Sequence, residues 1–247
     1  MQPLHQEVHH TSQISVYDTD ELYGEKGRFR VLQFSEDAIQ GALDLDHPER
    51  IVFEYPRAMI HLIEANHPSL ERLFVIGHGI GTISGYFERG QVTTAELEPG
   101  VVELSRRFFG YAGGPLMVGD GREILEREAP GSYDAIVLDA FQAEGTPLHL
   151  LSREFIRMAR GKLEPTGSLL MNLTGKRNDK LVSAVHTTLQ GEFPYTQTFS
   201  LPAAGSAEVR NFVIMGSGKP ITYQTRQMAG FTETELGQGY VIKDGTP

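Results

Sequence analysis

The chain has 247 residues, 40% of them hydrophobic and 22% charged, which suits one full-sized domain with a small appendage. A formal net charge of -10 argues against a nucleic-acid partner, because counterion release requires clustered lysine and arginine. The sequence contains no cysteine, which excludes disulfides, thiolate zinc sites and cysteine nucleophiles. Residues 1–13 lack the apolar segment of a signal peptide, and no stretch resembles a membrane span. We therefore expect a cytoplasmic protein with no membrane partner.

The apolar pattern divides the chain into three parts. Short alternating apolar runs between Gln13 and Gln40 predict a small antiparallel β unit, preceded by a flexible tail. Apolar residues at helical spacing from Glu54 to Ala65 predict that a helix starts there. We expect an N-terminal tail and β domain at 1–53, a catalytic domain at 54–218 and an irregular tail at 219–247.

The remainder alternates strands and helices, which is typical of a parallel sheet covered on both faces. The predicted strands are Leu73–Ile76, Val92–Glu96, Leu116–Val118, Ala135–Leu138 and Ser168–Asn172, with Thr196–Leu201 and Asn211–Met215 as a closing antiparallel pair. The predicted helices are Gly81–Arg89, Gly100–Phe109, Gly121–Glu128, Ser152–Lys162 and Asp179–Gln190. These elements predict an α/β fold with a mixed sheet of about seven strands.

A glycine-rich loop follows the first strand of this sheet and opens a helix. Gly77, Gly79 and Gly81 would let the backbone approach a ligand closely, next to the free N–H groups of the helix. A turn that serves only to pack strand against helix would have the same spacing. The loop alone is therefore weak evidence for a nucleotide site.

Acidic residues at the ends of the next two strands strengthen the case for an adenosine ligand. Glu96 ends the second strand, where a carboxylate can accept both ribose hydroxyls. Asp120, followed by Gly121, ends the third strand, where it can accept the adenine amine. A nicotinamide dinucleotide would require the first of these signals but not the second, so the pattern favours an S-adenosyl ligand.

Asp139 ends the fourth strand, beside the point where ligands of open α/β sheets bind. Its alternative role is to cap the following segment. Its position favours a functional carboxylate.

The order of these motifs resembles that of the spermidine synthases, the polyamine aminopropyltransferases, and looks most like their divergent bacterial branch. The matching residues are Ile39-Gln40, Phe53-Glu54-Tyr55, Gly77 to Gly81, Ala95 to Glu103, Gly119 to Arg122, Asp134 to Phe141 and Pro147 to Phe155. The resemblance implies a Rossmann-like class I S-adenosylmethionine-dependent methyltransferase fold, with a seven-stranded mixed sheet behind a small N-terminal antiparallel β domain. It also implies transfer of an aminopropyl group from decarboxylated S-adenosylmethionine, as co-substrate, to a small-molecule amine, without a metal.

The resemblance also implies roles for individual residues. Asp139 would be the acid-base residue, assisted by Tyr55. The donor would be held by Gln40, Gly77, Gly79, Gly81, Glu96, Leu97, Asp120 and Gly121. A homodimer is an open alternative to a monomer.

Three positions depart from the family pattern. Ile80 and Gln142 stand where the family has aspartates that bind cationic groups, and Pro56 replaces a histidine or glutamine. Without an aspartate at position 80, nothing there repels the carboxylate of intact S-adenosylmethionine, so the intact molecule becomes a possible donor. Arg57 and His78 lie close in sequence to the predicted site and could face that carboxylate. Two alternatives therefore stay open, a small-molecule methyltransferase and a non-catalytic binder of S-adenosyl compounds.

Overall fold

The structure is a computed structural model that describes residues 3–9, 12–34, 38–88, 90–141, 145–176, 178–202 and 208–245. Within these ranges the chain forms one small and one large β-sheet. Gln142, one of the three departures noted above, lies outside the described residues.

The small sheet is antiparallel, with its strands in chain order. It consists of β1 (His5–His9), β2 (Ser12–Leu22), β3 (Glu25–Phe34) and β4 (Ala38–Asp44). The prediction of a flexible tail before Gln13 is wrong, because His5 pairs with Val16 at the start of a regular β1–β2 ladder. Backbone pairing along β2 orders a segment whose own sequence carries little apolar signal.

The large sheet has the order β12-β10-β11-β9-β8-β5-β6-β7. Its strands are β5 (Leu73–Ile76), β6 (Val92–Glu96), β7 (Leu116–Val118), β8 (Tyr133–Leu138), β9 (Leu163–Gly175), β10 (Tyr195–Ser200), β11 (Arg210–Ser217) and β12 (Thr232–Glu233). Strands β5 to β9 are parallel to one another, β11 runs antiparallel beside β9, and β10 and β12 extend the sheet through further antiparallel pairings, β10 with β11 and β12 with β10. The helices are α1 (Glu54–Asn66), α2 (Thr82–Tyr86), α3 (Pro99–Phe109), α4 (Gly121–Glu126), α5 (Arg153–Lys162) and α6 (Lys180–Gln190). The predicted fold class is confirmed.

Both faces of the large sheet are buried, which explains the near-continuous apolar runs of its central strands. On one face, residues of α4, α5 and α6 pack around Ile136 and Met171. On the other face, α1 packs around Val75 and Val137. None of the helices in the described ranges is both long and apolar enough to cross a membrane.

Two differences from the predicted elements have clear causes. The sheet gains β12 at its edge, because Met228 and Phe231 are buried against the sheet and bring the polar tail alongside β10. Helix α2 ends at Tyr86 rather than near residue 89, and Gly85 within it is a poor helix former.

The last described residues fold back onto α4 and α5. Arg122, at the start of α4, forms an ion pair with Asp244, with an Nη2–Oδ2 distance of 2.6 Å. The N–H of Arg153 donates to the carbonyl of Ile242, whose side chain is buried. This C-terminal segment is thus attached next to the loop that carries His149, whose carbonyl also accepts from Arg122.

Candidate functional site

A cavity of about 400 Å³ lies at the carboxyl ends of the parallel strands, where the strand order reverses between β5 and β8. The small sheet contributes Ile14, Phe34 and Gln40 to its wall. The predicted site residues that line it are Gln40, Tyr55, Gly77, Gly79, Glu96, Leu97, Asp120, Gly121 and Asp139. The fold therefore brings together residues from six separate segments.

The glycine-rich loop depends on two left-handed backbone positions. At Gly77, where φ is 93°, a Cβ would collide with the carbonyl oxygen of Asp139, so only glycine fits between β5 and β8. Gly81, with φ of 88°, is the N-cap residue of α2 and packs against Tyr111. Gly81 starts the helix and is not among the residues that line the cavity, and its role in donor binding stays a prediction.

Glu96 connects the end of β6 to the glycine-rich loop. Its Oε2 accepts from the N–H of His78 at 2.8 Å and its Oε1 from the N–H of Glu98 at 2.9 Å. Burial raises the pKa of this carboxyl, against the effect of these hydrogen bonds. Each carboxylate oxygen has further lone pairs, so the group can accept two ribose hydroxyls without releasing the loop.

Asp120 caps helix α4 and faces His149. Its Oδ1 accepts from the N–H groups of Arg122 and Glu123, and its Oδ2 lies 2.8 Å from Nε2 of His149. Burial alone would raise the pKa of Asp120, but the hydrogen bonds from Glu123 and His149 hold it below its ordinary value. An adenine amine would therefore have to share Oδ2 with His149.

Asp139 and Tyr55 meet at the other end of the cavity. The Tyr55 hydroxyl donates to the Asp139 carboxylate, whose Oδ1 also accepts from Nδ2 of Asn172 at 2.9 Å. Burial raises the pKa of Asp139 to about 6, and both hydrogen bonds oppose this rise. Near neutral pH the carboxylate is therefore mostly ionised and can still take up a proton.

Tyr55 holds its proton throughout the physiological range. Burial, followed by the charge of Asp139 and the hydrogen bond to it, raises its pKa well above the ordinary value. The phenol is therefore a hydrogen-bond donor to Asp139, not a second base.

Ile80 occupies the contact between the two sheets. Its Cγ2 lies 2.7 Å from where a Cβ on Gly41 would stand, so β4 and the glycine-rich loop pack closely there. Ile80, like Phe34, packs against a buried cluster that contains Ile14 and Val101. The family that the sequence resembles has an acidic residue at this position, whereas here Ile80 makes an apolar contact between the two sheets.

The two cations expected near a donor carboxylate are not available to it. The ring of His78 is buried between Ser84 and Ser105, and burial followed by the charge of Arg106 lowers its pKa to about 4. Arg57 lies outside the cavity lining and contacts the Phe53 carbonyl and Glu54. Among the described lining residues there is no lysine or arginine.

The sequence reasoning missed Asn172 and the importance of His149. Asn172 is fully buried on β9 and reaches Asp139, the residue directly after β8. A polar residue at the carboxyl end of a buried apolar strand was the available signal, since such positions meet at the ligand edge of a parallel sheet.

Comparison with known proteins yields relatives but no matching family model. The chain is 29% identical over 162 residues to a spermidine synthase of Dictyostelium discoideum, covering 59% of this chain and 57% of that protein. It is 31% identical over 156 residues to a polyamine aminopropyltransferase of Vibrio vulnificus, covering 59% and 52%. It is 28% identical over 162 residues to putrescine N-methyltransferase 1 of Nicotiana tabacum, covering 59% and 43%. The chain thus spans about half the length of these curated relatives.

Two solved structures have the same fold. A protein described as a probable spermidine synthase from Corynebacterium glutamicum superposes with a TM-score of 0.74 at 21% identity, over 88% of this chain and 80% of that one. Human methyltransferase-like protein 13 superposes with a TM-score of 0.54 at 19% identity, over 71% and 86%. Motif order, relatives and fold agree: the chain is similar to spermidine synthases and polyamine aminopropyltransferases over 59% of its length, and its fold is that of the class I methyltransferases.

Proposed function

We propose that the chain transfers an aminopropyl group from decarboxylated S-adenosylmethionine to a small amine. One observation carries the proposal: a single cavity holds carboxylates at both ends, Glu96 and Asp120 at one and Asp139 at the other, with no lysine or arginine among its described lining. Such a cavity suits a donor and an acceptor that are both cationic. Its volume of about 400 Å³ lies in the range of sites for ligands of this size.

The adenosine part of the donor would bind along β6 and β7. Glu96 would accept the ribose hydroxyls and Asp120 the adenine amine, with Leu97 and Gly121 beside the nucleoside. Gln40 and the backbone of Gly77 and Gly79 would border the sulfonium. Intact S-adenosylmethionine would find no side-chain cation for its carboxylate among the described lining residues, which favours the decarboxylated donor.

The chemistry requires proton removal and alignment. Asp139 would take a proton from the acceptor ammonium, and the freed nitrogen lone pair would attack the methylene carbon next to the sulfonium. As the C–N bond forms, the C–S bond breaks and its electron pair goes to sulfur, leaving neutral methylthioadenosine. Tyr55 would hold the Asp139 carboxylate in place by donating to it.

Methyl transfer to an amine is the competing reaction, because putrescine N-methyltransferase 1 of Nicotiana tabacum is similar to this chain at 28% identity. The two reactions share the cavity and the proton acceptor but differ in donor and in product mass. A non-catalytic binder would bind donor and form neither product.

Calorimetry with decarboxylated and intact S-adenosylmethionine, followed by mass spectrometry after addition of putrescine and other small amines, tests the proposal. We expect tighter binding of the decarboxylated donor, and methylthioadenosine formed together with an amine enlarged by one aminopropyl group. An amine enlarged by one methyl group, together with tighter binding of the intact donor, would establish methyl transfer instead. Binding without either product would refute catalysis with these acceptors.

A further inference from the structure

A line of hydrogen bonds crosses three neighbouring strands and ends at Asp139. Nδ2 of Asn211 on β11 donates to Oδ1 of Asn172 on β9 at 3.0 Å, and Nδ2 of Asn172 donates to Oδ1 of Asp139 at 2.9 Å. Asn172 has no solvent exposure and lies in the middle of the sheet. A buried primary amide with both ends hydrogen-bonded is costly to misalign, because each lost partner would leave a polar group unsatisfied.

The strand register explains why the two amides meet. Asn172 pairs with Val213 and Asn211 with Thr174, so the two asparagines are offset by two residues across the β9–β11 ladder. Residues offset by two point to the same face and are diagonal neighbours within reach of each other. Asp139 follows Leu138, which pairs with Met171, the neighbour of Asn172.

The direction of donation along this line is fixed. A carboxylate only accepts, so Asn172 must present its NH₂ group to Asp139 when Asp139 is ionised. Its oxygen then needs a donor, and the NH₂ group of Asn211 supplies one. With the Asn172 amide reversed, its oxygen would face the carboxylate and its NH₂ group would face another NH₂ group.

We infer that Asn172 is a positioning residue for Asp139, that it holds the carboxylate in its ionised form and orientation, and that Asn211 fixes the direction of the Asn172 amide. The inference rests on the proposed function, in which Asp139 takes up a proton. The simplest alternative is that the asparagines only satisfy each other inside the sheet.

The surroundings of Asp139 make the effect measurable. Tyr55 on α1 is the titratable group that contacts it, and Asn172 is its partner from β9. The other titratable groups of the described lining are His78 in the glycine-rich loop, Glu96 at the end of β6, Glu98 after it, Asp120 after β7, and His149. His78 stays neutral, and none of this second group is among the interactions that perturb Asp139.

The test compares three leucine substitutions, each with the same number and branching of side-chain heavy atoms as asparagine but without hydrogen-bond donors or acceptors. Asn172→Leu removes the donor to Asp139, and Asn211→Leu removes only the group that orients it. Asn66→Leu is the matched control, because Asn66 is also buried and fully hydrogen-bonded, but to backbone groups of α1 and residue 222, outside the cavity lining.

Two readouts separate this inference from the proposed function. The acid limb of kcat/KM against pH reports the proton acceptor in the free enzyme, and carbon NMR titration of the Asp139 carboxyl needs no turnover. Because the hydrogen bond from Asn172 lowers the pKa of Asp139, its loss should move both midpoints to higher pH. We expect an upward shift of about one to two pH units for Asn172→Leu and a smaller one for Asn211→Leu.

Asn66→Leu should lower the thermal midpoint and leave the Asp139 titration unchanged. An Asp139 titration that is the same in folded Asn172→Leu as in the parent would overturn the inference. Should Asn172→Leu fail to fold, an unshifted Asn211→Leu would do the same. A parent protein without turnover would refute the proposed function, while the NMR titration would still decide the role of Asn172.

Discussion

Replacing Asp139 by asparagine should stabilise the folded protein at neutral pH while removing its activity. Burial raises the pKa of Asp139 from 3.8 to about 6, so the folded state binds this proton more tightly than the unfolded chain does. The ionised carboxylate therefore destabilises the fold progressively as pH rises from about 4 to about 6, and by a constant amount above that. Asparagine keeps the shape and carries no charge at any pH.

The size of this effect follows from the pKa difference. A rise from 3.8 to about 6 corresponds to roughly 3 kcal/mol, at about 1.4 kcal/mol per pH unit. Asp139 is only half-buried on the cavity side, and solvent screening reduces the expected gain to about 1–2 kcal/mol. Turnover should fall by about 10²–10⁴, because asparagine cannot accept the proton.

Urea unfolding at pH 4 and pH 7.5, with turnover measured in parallel, tests this prediction. Asp134→Asn, near the start of the strand that precedes Asp139, is the matched control, since Oδ2 of Asp134 accepts from the N–H groups of Glu71 and Arg72 at 2.8 and 2.9 Å. We expect Asp139→Asn to exceed the parent in unfolding free energy at pH 7.5 but not at pH 4, and Asp134→Asn to be less stable at pH 7.5. A loss of stability in both variants at pH 7.5 would mean that Asp139, like Asp134, only anchors backbone or side-chain donors.

Three further substitutions probe the rest of the cavity by calorimetry. Glu96→Gln should weaken the binding of methylthioadenosine about tenfold to a hundredfold, because an amide cannot accept both ribose hydroxyls and both loop N–H groups. The control Glu103→Gln, at an exposed position, should leave this affinity unchanged. Equal affinities of Glu96→Gln and the parent would refute the ribose site. Ile80→Asp should increase the preference for the decarboxylated donor about tenfold or more and lower the melting temperature, since Ile80 is packed between the sheets. An unchanged preference would mean that the aminopropyl end of the donor does not bind next to this loop. His149→Ala should tighten methylthioadenosine about fivefold by freeing Oδ2 of Asp120, whereas weaker binding would mean that His149 itself contacts the base.

The parallel core of the fold is readable from sequence because its signals are local. Strands β5, β6 and β7 end where predicted, since short apolar runs stop at the glycines and acidic residues of the ligand edge. Strands β1 and β12 could not be predicted, because their order comes from pairing with partners and not from their own composition. Long-range pairing of this kind leaves no periodic pattern in the paired segment.

The candidate site likewise contains residues that local sequence signals predict and residues whose role depends on the whole fold. Nine predicted residues share one cavity because most of them lie at, or within a few residues of, the end of a strand or helix whose position the topology fixes. Proximity in sequence was misleading for His78 and Arg57, whose side chains turn away into a helix contact and onto the protein surface. Asn172 acquires its role from the strand order β11-β9-β8, which is a property of the whole sheet.

Helix α3 connects the two sheets in a way that affects how the molecule unfolds. Val101, Leu104 and Phe109 are buried against Ile14, Val16 and Leu32 of the small sheet, so separating the sheets would expose this apolar surface to water. The two sheets are therefore coupled into one cooperative unit, although the strand topology alone suggests two. Since the cavity lies at their junction, partial unfolding of the small sheet would open it, and a ligand held there would resist that opening.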